Sequence, residues 1–246
     1  MLDVFFLSYN EPYADKNYAQ LKELVPNARR VNGVKGFAAA HQECARRSFT
    51  NNFYVVDSDA IIVEGFDFRF TPSKHNKWWH KPESDCICVW SSINPINDLI
   101  YGHGGVKILP KQPLLGADKD VIDFTTGFGL NTKVFTEVSN ITAFNYDEFN
   151  TFRSAFRECA KLASNLTNKE VKYKVDVEEA IKIREEAEHR LHVWTTVGEE
   201  NEFGKYCIAG AKQGKEYGAM FAENAKQLKL INDYDWMKNE FNRFFR

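Results

Sequence analysis

The sequence lacks the features that mark a membrane protein, a secreted protein or a strongly charged one. In its 246 residues no apolar run approaches the roughly 20 residues of a transmembrane helix. The N-terminus has no basic segment followed by an apolar one, so we expect no signal peptide. The five cysteines show no paired metal-ligand spacing, which favours a reducing compartment. We therefore expect a cytoplasmic protein with no membrane partner.

Other absences narrow the function. The sequence contains no Walker-type phosphate loop, no Gly-x-Ser-x-Gly nucleophile motif and no paired Cys or His zinc pattern, which argues against kinases, serine hydrolases and zinc enzymes. The net charge of −2 provides no overall basic field, so any contact with DNA must be local. With 43% hydrophobic residues the chain is long enough to bury a sizeable core.

The most informative feature is a pair of carboxylates in an apolar stretch. Asp57 and Asp59 follow the run Phe53–Val56 and precede a second apolar segment. A charge at the end of a buried strand requires a cation or a hydrogen-bond network. Two Asp residues separated by one small Ser can approach one divalent ion, which prefers oxygen ligands. The same tripeptide is also ordinary turn chemistry that closes a strand.

The first 65 residues alternate strand and helix patterns, which indicates a parallel sheet with helical crossovers. Strands are predicted over residues 2–7, 28–31 and 53–56, and helices over residues 15–24 and 36–48. Ligands in such sheets bind beyond the carboxyl ends of the strands. Residues 8–11 and 57–59 are both predicted to lie there.

The sequence pattern changes at about residue 66 and again at about Asp147. Residues 66–144 are rich in aromatics, Gly and Pro, with short strand patterns at residues 86–90 and 106–109, whereas the pattern from Asp147 onward is helical. We therefore predict one α/β domain over residues 1–246, with a mixed sheet flanked by helices. Within it, residues 1–65 form a nucleotide-binding half, residues 66–145 a sugar and acceptor half, and residues 146–246 a mainly helical portion.

Four segments together resemble a known enzyme class. They are residues 33–41, the pair at 57–59, residues 101–107 with 123–127, and residues 210–214. In this order, with a strand, polar loop and helix ahead of the acidic pair, the chain resembles the GT-A nucleotide-sugar glycosyltransferases. It is most similar to phage-encoded members, including those that glycosylate hydroxymethylated bases in phage DNA.

The resemblance implies a UDP-sugar donor and a divalent ion, Mn²⁺ or Mg²⁺. Asp59 is then the direct metal ligand, and Asp57 contacts the metal or the donor ribose. The candidates for a further ligand are His103, His189 and His192, of which His192 is the predicted one, although a lone His is more often structural. Residues expected to contact the donor are Ser8, Tyr9, Asn10, Glu11, Gly33, Lys35, Gly36 and Asp57. Gly33, Lys35 and Gly36 precede a predicted helix, whose N-terminal amides favour phosphate.

Catalytic and acceptor residues are predicted in the Gly-rich segment 101–107, interpreted as a loop, and in residues 123–127. Asp123 is the candidate general base for the acceptor hydroxyl, although capping a turn explains it equally well; His103 is the second catalytic candidate. Clusters of cations and aromatics favour DNA contact, although Lys-rich loops are usually only solvated. The predicted acceptor contacts are Lys77, Trp78, Trp79, Tyr101, Gly104, Gly105, Lys107 and Lys212.

Several alternatives remain open at this point. The acceptor is predicted to be 5-hydroxymethylcytosine in double-stranded phage DNA, with a surface glycan or lipopolysaccharide as the competing acceptor. A nucleotidyltransferase also uses a strand-borne Asp pair with Mg²⁺, and it would release pyrophosphate instead of a nucleoside diphosphate. A non-catalytic sugar- or nucleic-acid-binding protein is the third interpretation.

Overall fold

The protein is described by a computed structural model that covers residues 1–78, 80–117, 121–123, 128–166 and 177–246. It forms two compact units. The first contains Met1–Asn94 and Ile100–Ala143, and the second contains Pro95–Leu99 and Phe144–Arg246. The predicted α/β class, with a mixed sheet flanked by helices and a helical C-terminal portion, is confirmed. The division of a single catalytic domain into three functional portions stays a prediction.

A seven-stranded sheet forms the first unit, in the order β2-β1-β3-β8-β7-β9-β4. Strands β1, β2 and β3 are parallel, β8 is antiparallel to both β3 and β7, β7 is parallel to β9, and β4 is antiparallel to β9. A separate hairpin contains β5 and β6. The strands are β1 (Asp3–Ser8), β2 (Arg29–Asn32), β3 (Asn52–Asp57), β4 (Ala60–Ile62), β5 (Lys77–Trp78), β6 (Lys81–Pro82), β7 (Ile87–Ile93), β8 (Ile100–Pro110) and β9 (Thr132–Thr142).

Both faces of the central strands β1, β3 and β7 are buried, which explains why these strands are almost continuously apolar. Side chains alternate between the faces, so Val55 and Val56 belong to different cores. One face carries a cluster in which Trp90 stacks on Tyr54 and on Phe135. Helices α1 (Ala14–Leu24), α2 (Phe37–Arg47) and α3 (Lys111–Leu115) belong to this unit.

All five elements predicted in the first 65 residues agree with the structure to within one residue at each end. The interpretation of residues 101–107 as a loop is wrong, because they lie inside β8. The glycines mislead here because they make room for side chains of β9: a Cβ on Gly102 would meet the Val134 side chain, and one on Gly105 would meet that of Asn140.

Strand β8 contains a bulge. Val89 of β7 faces Lys107 and Ser91 faces Gly102, so β8 accommodates three extra residues between these pairs. Gly104 lies in this interval with φ +86°, a conformation that glycine adopts without strain. A bulge bends its strand and redirects side chains, and this one lies next to the end of β3 that carries the acidic pair.

The second unit is helical around a core that includes Trp194, Phe144 and Ile96. Among the described residues its helices are α4 (Glu148–Ala163), α5 (Val177–Thr196), α6 (Gly204–Met220), α7 (Ala225–Leu228) and α8 (Tyr234–Phe245). Helix α4 begins with a side-chain cap, since the Asp147 carboxylate accepts a hydrogen bond from the Asn150 N–H at 2.6 Å. The segment 210–214, which carries part of the resemblance, lies within α6.

The glycines of α6 bring its backbone close to that of α4. Gly210, Gly214 and Gly218 are four residues apart and therefore share one face of the helix. A Cβ on any of them would lie under 3.0 Å from a backbone carbonyl oxygen of α4, at Phe152, Phe156 and Ala160 respectively. This segment is thus explained by helix packing.

We expect Gly214→Ala to destabilise the protein. In an isolated helix, alanine is more stabilising than glycine by about 1 kcal/mol. Forcing a methyl group against the α4 backbone costs more, about 1–3 kcal/mol or above. The urea midpoint, followed by tryptophan fluorescence, should fall. Lys212→Ala, an exposed change on the same helix, is the control and should stay within about 0.5 kcal/mol of the unmodified protein. A midpoint that rises for Gly214→Ala would contradict the close packing.

Candidate functional site

Polar side chains collect where β1, β2 and β3 end. Leu7 pairs with Asp57, and Ser8 pairs with Asn32, so the carboxyl ends of all three strands meet at one edge of the sheet. This edge is where open α/β sheets bind their ligands. The predicted convergence of the loop at residues 8–11 with the acidic pair is therefore consistent with the strand register.

The turn that carries the acidic pair is held from two sides. The buried Asn17 side chain of α1 donates a hydrogen bond to the Ser58 carbonyl at 2.8 Å. The Ala143 N–H donates to the Asp59 carbonyl at 2.7 Å. Both carboxylates therefore project from a backbone that is fixed before any ligand binds, which lowers the ordering cost of binding.

Asp57 has a cation of its own. The Lys107 ammonium lies 2.7 Å from both Asp57 carboxylate oxygens and donates a further hydrogen bond to the Gly104 carbonyl at 2.6 Å. The Lys107 side chain is 3% exposed and that of Asp57 is 34% exposed. Burial raises the pKa of Asp57 above its usual range, and Lys107 opposes this rise.

Lys107 therefore has a different role from the predicted one. It was expected to contact the acceptor, but its charge is buried beneath the site and directed at Asp57. Tyr101 and Gly105, also predicted acceptor contacts, are buried in β8. The correction has one physical reason: residues expected in an open loop are strand residues packed between neighbours.

Asp59 is the carboxylate whose ionisation the site opposes most strongly. Burial, and then the nearby carboxylates of Asp57 and Glu11, raise its pKa from 3.8 to about 7. Lys107 acts in the opposite direction, but its effect is smaller. Three carboxylates thus share one lysine, an arrangement that favours binding of an additional cation.

The donor set suits a hard divalent ion, since carboxylate oxygens are the ligands that Mg²⁺ and Mn²⁺ prefer. Both oxygens of Asp57 already accept hydrogen bonds from Lys107, so Asp59 is the more available ligand. Among the described residues, no group of three or more His, Cys, Asp and Glu side chains is arranged to hold a metal.

The loop after β1 is ordered by its own contacts. The Tyr9 N–H donates to the Glu11 carboxylate at 2.7 Å, and Tyr9 is exposed. Ser8 is buried; its hydroxyl donates to Asn32 at 2.7 Å and accepts from the Arg30 guanidinium at 2.8 Å. The predicted donor contact of the Ser8 hydroxyl is therefore corrected to a structural link between β1 and β2.

The segment with Gly33, Lys35 and Gly36 joins the end of β2 to the start of α2. Both glycines have positive φ, +75° and +90°, and the Gly33 N–H donates to the Ser8 carbonyl at 3.1 Å. Gly36 is the residue before the first turn of α2, where it offers no side-chain cap. Lys35 is exposed. A cation and the first N–H groups of a helix thus lie at the site's edge, as the phosphate prediction requires.

The remaining predicted residues have varied positions. His103 lies in the β8 bulge with its ring centroid 5.4 Å from that of Tyr101, and its charge lowers the pKa of Asp57. Asp123 is buried in a short described segment. Asn10 is exposed in the loop after β1. The assignments of His103 and Asp123 as catalytic groups stay predictions.

Other predicted contacts stay untested. Lys77 is exposed in the β5–β6 hairpin, whereas Trp79 and residues 124–127 lie outside the described residues, as does the Trp78 side chain. In the helical unit, Lys212 is exposed and so is His192, whose carbonyl accepts hydrogen bonds from Thr195 and Thr196. The His192 metal assignment remains a prediction.

Comparisons with known proteins add little. No protein-family model matches the chain, and no curated protein matches it. Among solved structures, the crystal structure of HddC from Yersinia pseudotuberculosis is similar with a TM-score of 0.33 and 14% sequence identity, over 57% of this chain and 70% of that chain. A likeness of this extent supports no functional argument. Separately, no helix in the described parts of the chain has the length and apolarity needed to cross a membrane.

Proposed function

We propose that the protein is a glycosyltransferase that uses a divalent ion to transfer a sugar from a nucleotide sugar to an acceptor hydroxyl. The observation that carries this proposal is the preorganised acidic pair at the carboxyl ends of β1–β3, in which Lys107 neutralises Asp57 while burial and the nearby carboxylates oppose ionisation of Asp59, which a bound cation would favour. A carboxylate that can bind a metal ion lies here beside a helix N-terminus at the edge of the sheet. This combination suits a nucleoside diphosphate.

Each group has a distinct task in this proposal. Asp59 would hold the Mn²⁺ or Mg²⁺, which offsets the charge that develops on the leaving diphosphate. Asp57, fixed by Lys107, contacts the metal or the donor ribose. The loop at residues 9–11 lies beside the nucleoside, and Lys35 with the first turn of α2 contacts phosphate. His103 and Asp123 are the candidates for removing the acceptor proton.

The proposal predicts which donor binds. A panel of nucleotide sugars, screened by thermal shift with Mn²⁺, should contain a UDP-sugar that stabilises the protein. A ligand at 100 times its dissociation constant stabilises by about 2.7 kcal/mol, which for a chain of this size raises the melting temperature by about 5–10 °C. Excess chelator should remove the shift. If every nucleotide sugar leaves the melting temperature unchanged with metal present, the donor proposal fails.

The second step identifies the reaction and the acceptor. The active donor, Mn²⁺ and the protein are incubated with duplex DNA containing 5-hydroxymethylcytosine, with unmodified DNA, and with a surface glycan. Release of a nucleoside diphosphate with label on the modified DNA alone supports the DNA acceptor proposal. Label on the glycan alone replaces that acceptor, and release of pyrophosphate identifies a nucleotidyltransferase. Lys77→Ala or Lys212→Ala should then weaken DNA binding without affecting the donor.

A further inference from the structure

A second polar surface lies at the opposite edge of the sheet, where β1, β2 and β3 begin. Asp3 begins β1, Arg29 begins β2, and Asn52 begins β3. Strand β8 ends at Pro110 opposite Asn52, so Lys111 lies at the same edge. This edge is distinct from the acidic pair, which lies at the other ends of the same strands.

A turn at this edge presents one aromatic ring to solvent. The Asp3 carboxylate accepts hydrogen bonds from the Ser48 hydroxyl at 3.0 Å and the Thr50 N–H at 3.2 Å. The Asp3 N–H donates in return to the Thr50 hydroxyl at 3.1 Å. Between these two anchored residues, Phe49 is 88% exposed. The ring is thus held outward by a fixed backbone.

One cation lies against this ring, and three more belong to the adjoining segments. The Arg29 guanidinium carbon lies 5.0 Å from the Phe49 ring centroid, and Arg29 also donates to the Arg47 carbonyl at 2.9 Å. The Lys111 ammonium donates to the Ser48 carbonyl at 2.6 Å. Arg46 and Arg47 are exposed in the last turn of α2. The set Phe49, Arg29, Arg46, Arg47 and Lys111 is called the Phe49 surface below.

The Phe49 surface keeps an excess of positive charge. Two carboxylates pair with these cations: Asp3 with Arg29 at 2.9 Å, and Glu43 with Arg46 and Arg47 at 2.6 and 2.8 Å. Each guanidinium has five N–H donors, so the pairs with Glu43 leave donors of the exposed Arg46 and Arg47 available. The surface therefore favours an anionic partner that also offers a flat apolar face.

We propose that the Phe49 surface binds single-stranded nucleic acid, with an unpaired base stacked on Phe49 and phosphates contacted by Arg29, Arg46, Arg47 and Lys111. Every base has a face that stacks on an aromatic ring, and flanking cations contact the backbone without regard to sequence. One ring offers a lipid surface or a protein partner little apolar area, whereas a ring framed by cations matches the alternation of base and phosphate.

Fluorescence anisotropy with a short labelled single-stranded oligonucleotide tests this proposal. Phe49→Ala should raise the dissociation constant about ten-fold, in the range found for a lost stacking contact, and Phe49→Trp should bind at least as tightly as the unmodified protein. The double change Arg46→Gln and Arg47→Gln should make the plot of log affinity against log salt concentration less steep, by about 1.4 in slope. Phe244→Ala, an exposed phenylalanine of the helical unit, is the matched control and should have no effect.

Three outcomes would overturn the proposal: no binding of the oligonucleotide, equal losses for Phe49→Ala and Phe244→Ala, or binding to anionic phospholipid vesicles that exceeds binding to the oligonucleotide. The assay contains no nucleotide sugar and no metal. Its result therefore does not depend on the proposed transferase activity, and either proposal can fail without the other.

Discussion

Asp59→Asn is expected to abolish metal-dependent transfer and, at the same time, to make the metal-free protein more stable at pH 8. Asparagine keeps the size of the side chain but removes the charge that would hold the ion. It also removes the repulsion from Asp57 and Glu11, which contributes to the raised pKa of Asp59. A loss of activity with a gain in stability separates a functional residue from a structural one.

The pH dependence follows from the same pKa. Asp59 has a pKa of about 7 when folded and 3.8 as its reference value, so the folded state holds a proton that the unfolded state releases. Between these values the unfolding free energy decreases as pH rises. Asp59→Asn removes this decrease. The unfolding free energy of the variant should exceed that of the unmodified protein by up to about 2 kcal/mol at pH 8, after allowance for solvent screening. At pH 4 the two proteins should differ little.

Metal affinity should increase as pH rises, whereas the stability of the metal-free protein decreases. Because the ion must displace the Asp59 proton, Mn²⁺ should bind about ten-fold more weakly at pH 6 than at pH 8. Thermal shifts with Mn²⁺ at both pH values measure this, with the exposed change Asp85→Asn as the control of equal charge. Full turnover by folded Asp59→Asn, or an unchanged response to Mn²⁺, would exclude Asp59 as the metal ligand.

Lys107→Met is expected to destabilise the protein by about 3 kcal/mol at pH 8, near the low end of the range for breaking a buried pair. The low end applies because Asp57 is 34% exposed and water can solvate part of its charge. In the variant both Asp57 oxygens lose their lysine donor. The positive charge that offsets the carboxylates of the site is also lost. Urea unfolding followed by tryptophan fluorescence measures the loss.

A double variant distinguishes the lost pair from lost packing. Asp57→Asn combined with Lys107→Met removes both charges, and it should recover most of the stability that Lys107→Met loses. Lys74→Met, which removes an exposed lysine of the same unit, should have little effect. If the double variant is as unstable as Lys107→Met alone, the ion pair does not account for the stability, and packing of the lysine stem does.

The sequence predicts the elements near the site well because their signals are local. Alternation of apolar runs with helix patterns places β1, β2 and β3, and the position of Asp57 at a strand end follows directly from the buried run before it. Parallel pairing then brings residues 8–11 to the same edge. None of these conclusions requires knowledge of contacts between residues distant in the chain.

The partner of Asp57 could not be predicted in this way, since Lys107 is fifty residues away and lies in a segment whose glycines suggest a loop. One signal was present. Lys107 interrupts the apolar run Val106–Leu109, and a lone lysine in a buried strand requires an anion as much as a buried Asp requires a cation. Matching the two unpaired charges across the sheet would have identified the pair.

The β8 bulge has a consequence for how the protein can change over evolution. The bulge separates two pairing registers. Residues 106–110 pair with β3, whereas residues 100–102 pair with β7 in a register shifted from that of Lys107 and Ile108. Insertions between them would lengthen the segment around His103 without shifting Lys107 to the opposite face of the sheet, where Val106 and Ile108 lie in an apolar core. The strand can thus vary beside the site while the charge beneath it stays in place.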